Sequence, residues 1–180
     1  TSRERTYPGE PMSISATVLP EFDREMATTR TMLERVPGAR AEWTPHVKSW
    51  NMGQLASHIG NLPRLGLIAM ETDELDVSPL NGSNGASTPA FETTENLIRT
   101  FDENVQRARA AIEAASDSDM MEPWSLRRSG KTIWTLPRAA VLRSFILSHM
   151  IHHRGQLSVY LRLNDVPLPP VYGPSADTKV

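Results

Sequence analysis

The sequence predicts an all-α protein built as a four-helix bundle. Apolar residues recur at alternating three- and four-residue intervals in four segments, and no segment alternates apolar and polar residues for long enough to build a sheet. The 180 residues suit one domain with room for a core of several packed elements. We expect an extended leader over residues 1–13, the bundle over 14–163, and a proline-rich tail over 164–180 that packs on it.

The first two helices are read from their apolar stripes. Helix one begins near Ile14 and ends before Pro37-Gly38; its stripe is Leu19, Phe22, Met26, Thr29, Leu33 and Val36. Helix two is predicted to begin after Ser49 as N-cap and to run for about 20 residues. Its stripe is Leu55, His58, Leu62, Leu65 and Ala69. Pro63 falls inside it and is expected to kink the helix or remove one hydrogen bond.

A long connection separates these helices from the second pair. Residues 72–88 are rich in Pro, Gly, Ser and Asn, which favours a crossover between distant helices or a lid. Helix three is predicted to begin between Pro89 and Glu95 and to end at 116–119; its stripe is Thr94, Ile98, Phe101, Val105, Ala108, Ile112 and Ala115.

The last helix follows a short irregular stretch. Ser129-Gly130 is a weak signal for a turn between two short extended pieces. Helix four begins near Pro137, because proline suits a first helical turn. Its stripe is Leu142, Phe145 or Ile146, His149, His153, Gln156, Tyr160 and Leu163.

Composition excludes several classes of site and partner. The chain has no cysteine, which removes disulfides, Cys-ligated zinc, iron–sulfur clusters and thiol nucleophiles. A net charge of −2 with no basic block predicts neither nucleic-acid nor membrane binding. No apolar run is long enough to span a bilayer, and the first residues do not resemble a signal peptide. We expect a cytoplasmic protein in which any metal has nitrogen and oxygen ligands.

The histidines are the residues best suited to chemistry. His149 and His153 are four apart on helix four and share one face, so they could hold one metal ion together. Both interrupt an apolar stripe, and so does His58 on helix two. A buried imidazole without a partner is costly, so three such interruptions suggest a shared purpose. The alternatives from spacing alone are core histidines satisfied by other groups, or an exposed face.

Three segments resemble a known family. Residues 43–59, WTPHVKSWNMGQLASHI, look like the helix-two motif of the DinB/YfiT-like metalloenzyme family; residues 149–157, HMIHHRGQL, look like its helix-four motif. The tail from Asn164 to Asp177 looks like one branch of it. The resemblance spans about Ile14 to Asp177, in the family's order.

That resemblance implies a fold and a site. It implies helices in up-down-down-up order, with 72–88 as the crossover, and in many members a homodimer. It also implies one divalent ion (zinc, nickel or iron) on three histidines, which here are His58, His149 and His153. Characterised relatives include transferases and isomerases that use a low-molecular-weight thiol to act on small-molecule substrates.

Other residues are candidates for the surroundings of that ion. Gln156 and Tyr160 could support the ligands or wall the cavity, and so could the helix-one carboxylates Glu21 and Asp23. His152 is rotated about 100° from His153, which disfavours ligation and favours packing at the bundle edge. Arg154 is predicted to be a solvated or salt-bridged side chain, with anion binding as the alternative. His46, in the loop before helix two, is predicted to have a capping or surface role, with a place at the mouth of the site as the alternative. The tryptophans Trp43, Trp50, Trp124 and Trp134 are predicted to be core or interface anchors rather than a ligand-binding cage.

Three functions remain open at this stage. Three neutral imidazoles leave an ion with its full charge and an open position, as in catalytic rather than structural sites. A water there would serve hydrolysis, whereas a thiol would serve transfer or isomerisation, which we prefer because relatives do it. The third hypothesis is a non-catalytic stress-response or interaction module stiffened by the ion. No catalytic base is evident.

Overall fold

The computed structural model describes residues 12–77 and 89–178. Four long helical segments pack around one core: α1 (Ile14–Leu33), α2 (Met52–Glu71), α3 (Thr94–Ala114) and a final run over 138–162. The predicted leader lies outside the described residues except for 12 and 13, as do 78–88 of the long connection. No helix among the described residues is both long and apolar enough to cross a membrane.

The first helix pair closely follows the predicted stripes, with different ends. Helix α1 stops at Leu33 rather than reaching Val36, and a 3-10 turn follows at Gly38–Arg40. The predicted N-cap of α2, Ser49, is wrong. Asn51 takes that role, because its Oδ1 accepts from the backbone N–H of Gln54 at 2.7 Å while Gln54 Oε1 accepts from the N–H of Asn51 at 3.0 Å. Pro63 lies within the assigned span of α2.

A small sheet corrects the all-α expectation. Strand β1 (Glu74–Asp76) pairs parallel with β2 (Pro123–Arg128), which pairs antiparallel with β3 (Lys131–Pro137). Ser129 and Gly130 form the turn, both with positive φ, as the weak sequence signal suggested. Strand β1 was not predicted, because it has three residues and pairs with a strand far along the chain. Trp124 and Leu126 of β2 are buried against Ala69 and Val141.

The end of helix three also differs from the prediction. Helix α3 ends at Ala114. The side chain of Ser116 accepts from the N–H of Asp119 and so caps a separate short helix, α4 (Asp117–Met121). Thr93 caps the start of α3, within the predicted interval.

The final helical run is divided into three pieces. They are α5 (Arg138–Ala140), a π-helical segment (Val141–Leu147) and α6 (Ser148–Arg162). The buried Arg138 donates to the carbonyls of Ala69 and Thr72, which ties the start of this run to the end of α2. The π segment therefore lies between an anchored start and the helix that carries three histidines.

The main core is formed by the four long helical segments. Its largest buried side chains include Phe22, Leu55, Ile59, Phe101 and Leu142. Tail residues Val166, Leu168 and Val171 pack against this core from outside. Asp177 pairs with Arg162 and accepts from the N–H of Leu168 at 2.9 Å, which folds the tail back on itself beside α6.

Candidate metal centre

Three imidazoles from two helices meet at one point. Nε2 of His58 lies 3.3 Å from Nε2 of His149, which lies 2.8 Å from Nε2 of His153. One nitrogen from each ring falls within 4.8 Å of the other two, and all three side chains are partly buried. The residues singled out from the sequence as a metal triad are thus brought together.

Two features of the chain create this convergence. His149 and His153 stand one turn apart on α6, so their rings project from the same face. His58 comes from the middle of α2, where its neighbours Ser57 and Ile59 are buried against the rest of the bundle. Packing of α2 on α6 therefore sets the distance between His58 and the pair.

The electrostatic environment keeps the rings neutral. Burial, followed by the neighbouring imidazoles of His153 and His149, lowers the pKa of His58 from 6.5 to about 4. Burial likewise lowers the pKa of His149 to about 4; the His153 ring adds to this shift, and the Phe145 carbonyl opposes it. The pKa of His153 is also lowered, chiefly by burial. Neutral imidazole is the form that binds a metal ion.

Hydrogen bonding indicates which nitrogen of His153 carries its proton. Oε1 of Gln156 lies 2.7 Å from Nδ1 of His153, so as an acceptor it favours a proton on that nitrogen. Nδ1 of His149 is buried with no hydrogen-bond partner among the described residues. With a proton on Nδ1 of each ring, the two Nε2 lone pairs would face each other across 2.8 Å, which is repulsive unless a cation or a proton lies between them.

The donor set fits a divalent cation. Metal–imidazole bonds of about 2.0–2.1 Å place two ligand nitrogens about 2.9–3.4 Å apart for angles between 90° and tetrahedral. The observed separations of 2.8 and 3.3 Å lie close to this range. The Gln156 contact is the kind of outer hydrogen bond that orients a ligating histidine, as the sequence predicted for this residue.

Aromatic rings cover the three histidines. Trp50 stacks on His153 with ring centroids 5.8 Å apart and planes at 28°, and lies 5.0 Å from the His58 ring. Phe145 lies 5.7 Å from His149 and also contacts the sheet through Trp134. The role of Trp50 was not predicted, since it lies outside the periodic helix. Phe145 could have been found, because it precedes His149 by four residues.

The remaining candidates are placed around or away from the triad. The hydroxyl of Tyr160 donates to the Trp50 carbonyl at 3.3 Å, so it braces the segment that carries Trp50. His152 is exposed and packs edge-on against His153 at 5.0 Å. His46 is exposed in a turn, where its ring accepts from the N–H of Lys48.

The charged candidates are engaged in ion pairs. Arg154 is buried and pairs with Glu25 at 2.7 Å, with Thr29 and the Tyr172 hydroxyl as further acceptors. The Arg154 side chain therefore faces α1 and the tail, which supports the predicted salt bridge rather than anion binding. The carboxylates of Glu21 and Asp23 pair with Arg143 and Arg109 respectively.

A cleft of about 640 Å³ opens beside His58. Its described lining includes Glu42, Trp50, Asn51, Gln54 and Phe91. His58 is part of this lining, so the cleft adjoins the imidazole cluster.

Comparisons with known proteins agree with this fold. The profile of the DinB superfamily matches residues 21–157. The uncharacterised protein YrdA of Bacillus subtilis is 22% identical over 159 residues, which is 88% of each chain. Two crystal structures share the fold at 17% identity: the DinB-like YjoA of B. subtilis (TM-score 0.65, 88% of this chain and 99% of that one) and a DinB-like protein of Bacillus cereus (TM-score 0.66, 89% and 99%). The family match covers more than half of the chain and includes all three histidines, so this protein belongs to the DinB superfamily.

Proposed function

We propose that this protein is a metal-dependent enzyme that binds one divalent cation through His58, His149 and His153. The observation that carries the proposal is the convergence of three Nε2 atoms from two separate helices. Three protein ligands leave at least one coordination position open, which is typical of catalytic sites, whereas structural zinc sites usually have four. The imidazole set accepts zinc, nickel or iron alike.

The reaction that suits the surroundings best is thiol transfer. When bound, the ion would lower the pKa of a coordinated thiol so that it reacts as a thiolate. The sulfur of the low-molecular-weight thiol would form a bond to an electrophilic carbon, whose leaving group departs with its bonding electrons, while the thiol proton passes to solvent. An isomerase would instead add the thiol across an electrophilic double bond with no leaving group lost, and elimination after rotation about the resulting single bond would regenerate the double bond and the thiol.

Hydrolysis is the alternative that the geometry favours less. It would benefit from a carboxylate base close to the ion. Glu21 and Asp23 are held by arginines on the bundle surface, and Glu42 is the one carboxylate among the described residues of the cleft lining. Thiol transfer depends less on such a base, because a divalent ion deprotonates a bound thiol outright, whereas a bound water keeps a pKa of about 7.

A non-catalytic module with a structural ion is the other alternative. The core of the bundle is filled by apolar side chains from all four long segments, and the triad lies at its partly exposed edge. We therefore propose a bundle that folds without the ion. Helices in up-down-down-up order and a homodimer belong to the same proposal, supported by family membership.

The proposal is tested on protein prepared without a histidine tag, which would bind metal itself. We expect about one divalent ion per chain by elemental analysis. His153→Ala should lose it, and His46→Ala, which alters an exposed histidine of the loop, should retain it. Chelation should abolish thiol binding but lower the melting temperature only slightly. A protein that binds no divalent ion, or that unfolds on chelation, would contradict the proposal of a catalytic metal site.

A further inference from the structure

The cleft beside His58 carries a negative charge at a defined place. Glu42 is the one charged residue among its described lining, with Trp50, Asn51, Gln54, His58 and Phe91 as neighbours. Residues 78–88, which precede the Pro89–Phe91 edge of this cleft, contain no charged side chain in the sequence. A substrate entering here therefore meets one carboxylate and no cationic side chain of the described lining.

The position of Glu42 is fixed by the first turn of α2. The residues on either side of it are held by backbone hydrogen bonds: the N–H of Gly53 donates to the Ala41 carbonyl and that of Met52 to the Trp43 carbonyl, both at 2.8 Å. Nδ2 of Asn51 also donates to Oε2 of Glu42 at 2.8 Å. These contacts restrain the carboxylate before any ligand arrives, which lowers the entropic cost of binding.

Trp50 supplies a second surface for the same kind of ligand. Trp50 is 48% exposed, although its ring stacks on that of His153 and lies tilted against that of His58. An exposed indole face attracts cations, and Trp50 lines the same cleft as Glu42. Gln54 uses its Oε1 in the helix cap, so its amide NH₂ is the group that remains to contact a ligand.

We infer that this cleft is a subsite for the non-reacting part of the substrate, and that Glu42 with Trp50 selects a small molecule bearing an ammonium or other cationic nitrogen. The inference rests on the proposed function, because His58 joins the cleft to the metal centre and the reacting group would lie there. Glu42 is thereby assigned as a specificity-determining residue and not as a metal ligand.

The test compares cationic and neutral thiols of equal length. Cobalt-loaded protein is titrated with cysteamine and longer ω-aminoalkanethiols, each against the matching ω-hydroxyalkanethiol, and binding is followed by the near-ultraviolet absorption that a thiol produces on binding cobalt. The ratio of the two dissociation constants is then compared between the wild type and Glu42→Gln. This comparison cancels the intrinsic difference between the two thiols.

We expect Glu42→Gln to weaken binding of at least one aminothiol by about fivefold or more while the hydroxythiol changes less than about twofold, as for removal of one hydrogen-bonded charge partner. Glu103→Gln, which removes an exposed carboxylate on α3, should change neither. An unchanged ratio in Glu42→Gln at every length would overturn the subsite while leaving the metal centre intact.

A second experiment tests the subsite if the proposed function is wrong. If the protein binds no cobalt, or the cobalt binds no thiol, butylammonium and 1-butanol are titrated against tryptophan fluorescence. Preferential binding of butylammonium that is lost in Glu42→Gln supports the subsite without the metal. Equal binding of the two probes, or binding of neither, rejects it.

Discussion

Gln156 orients the imidazole of His153 through one hydrogen bond. Its Oε1 accepts from Nδ1 of His153 at 2.7 Å, which directs the lone pair of Nε2 toward His149. Gln156→Leu removes this acceptor from an exposed position of α6. We expect metal affinity to fall about tenfold, because loss of an outer hydrogen bond to a ligand costs about 10- to 100-fold. Competition with a chromophoric chelator measures it.

The control lies on the same helix. Ser158→Ala removes a hydroxyl that bonds only locally, to the Gly155 carbonyl, and should leave affinity unchanged. Equal affinities in Gln156→Leu and the wild type would mean that packing alone orients His153.

Protonation of the triad links it to stability. In the unfolded chain these rings take up protons near pH 6.5, whereas in the folded protein burial and neighbouring imidazoles delay this for His58 and His149 to about pH 4. Between these values the unfolded chain binds more protons, so the free energy of unfolding of metal-free protein decreases as pH falls from about 6.5 to about 4. Urea denaturation across this interval measures the slope.

A double variant isolates the contribution of the two rings. His58→Gln with His149→Gln removes both groups with the shifted pKa values of about 4, so its stability should depend less on pH in that interval. If the free energy of unfolding of the double variant changes with pH as steeply as that of the wild type, groups other than His58 and His149 cause the pH dependence. Bound metal should be released in the same direction, because protons compete for the same nitrogens.

At the residue scale, local spacing predicted more than distant contacts. His149 and His153 follow from one helical turn, and Gln156 from the next. His58 lies 91 residues before His149, so its contact depends on how α2 packs, and the family resemblance supplied the pairing. Trp50 was missed because it precedes the N-cap of α2, where side-chain periodicity no longer applies.

Among the elements, the π-helical segment is the one most closely tied to the site. Val141–Leu147 lies between α5, held by Arg138, and α6, which carries His149 and His153. A π segment arises when one extra residue is accommodated in an α-helix, and each residue turns the helix by about 100°. Deletion of the exposed Ser144 should restore α-helical winding and rotate the histidines relative to α5.

We expect the Ser144 deletion to abolish stoichiometric metal binding while circular dichroism still reports a helical protein. Ser144→Ala, which keeps the residue count but loses the bond to the Ala140 carbonyl, should bind metal normally. If the deletion variant still binds one metal ion per chain, the rotation of α6 about its axis does not depend on the π segment.

The sequence predicted the long helices because each buries a continuous stripe that repeats locally. The same criterion could not detect β1, which has three residues and depends on Ser125–Arg127 some 50 positions later. It could not detect the π segment either, since one additional residue in a helix leaves an apolar stripe that is still nearly periodic. The N-cap error at Ser49 arose because two polar residues were available, and Asn51 wins through its reciprocal bonds with Gln54.

At the scale of the whole molecule, one buried ion pair joins α1, α6 and the tail. Arg154 and Glu25 are almost fully buried, lie 2.7 Å apart, and share the Tyr172 hydroxyl, which is 2.8 Å from Arg154 and 3.0 Å from Glu25. Arg154 follows His153 directly, so this network also restrains the helix beneath the triad. Arg154 thus connects the tail to the helix that carries His149 and His153.

Removing one partner of the Arg154–Glu25 pair should lower the free energy of unfolding more than replacing both partners by apolar residues. Glu25→Gln leaves the Arg154 charge buried without a counterion, and we expect a loss of about 3 kcal/mol in the free energy of unfolding. Tyr172→Phe loses one hydroxyl bridge and should cost about 1 kcal/mol. The double variant Glu25→Leu with Arg154→Met replaces the pair by apolar groups and should recover much of the loss, because neither charge then needs a partner. Urea denaturation of all three variants tests this order; a double variant less stable than Glu25→Gln would show that the pair stabilises the fold beyond satisfying its own buried charges.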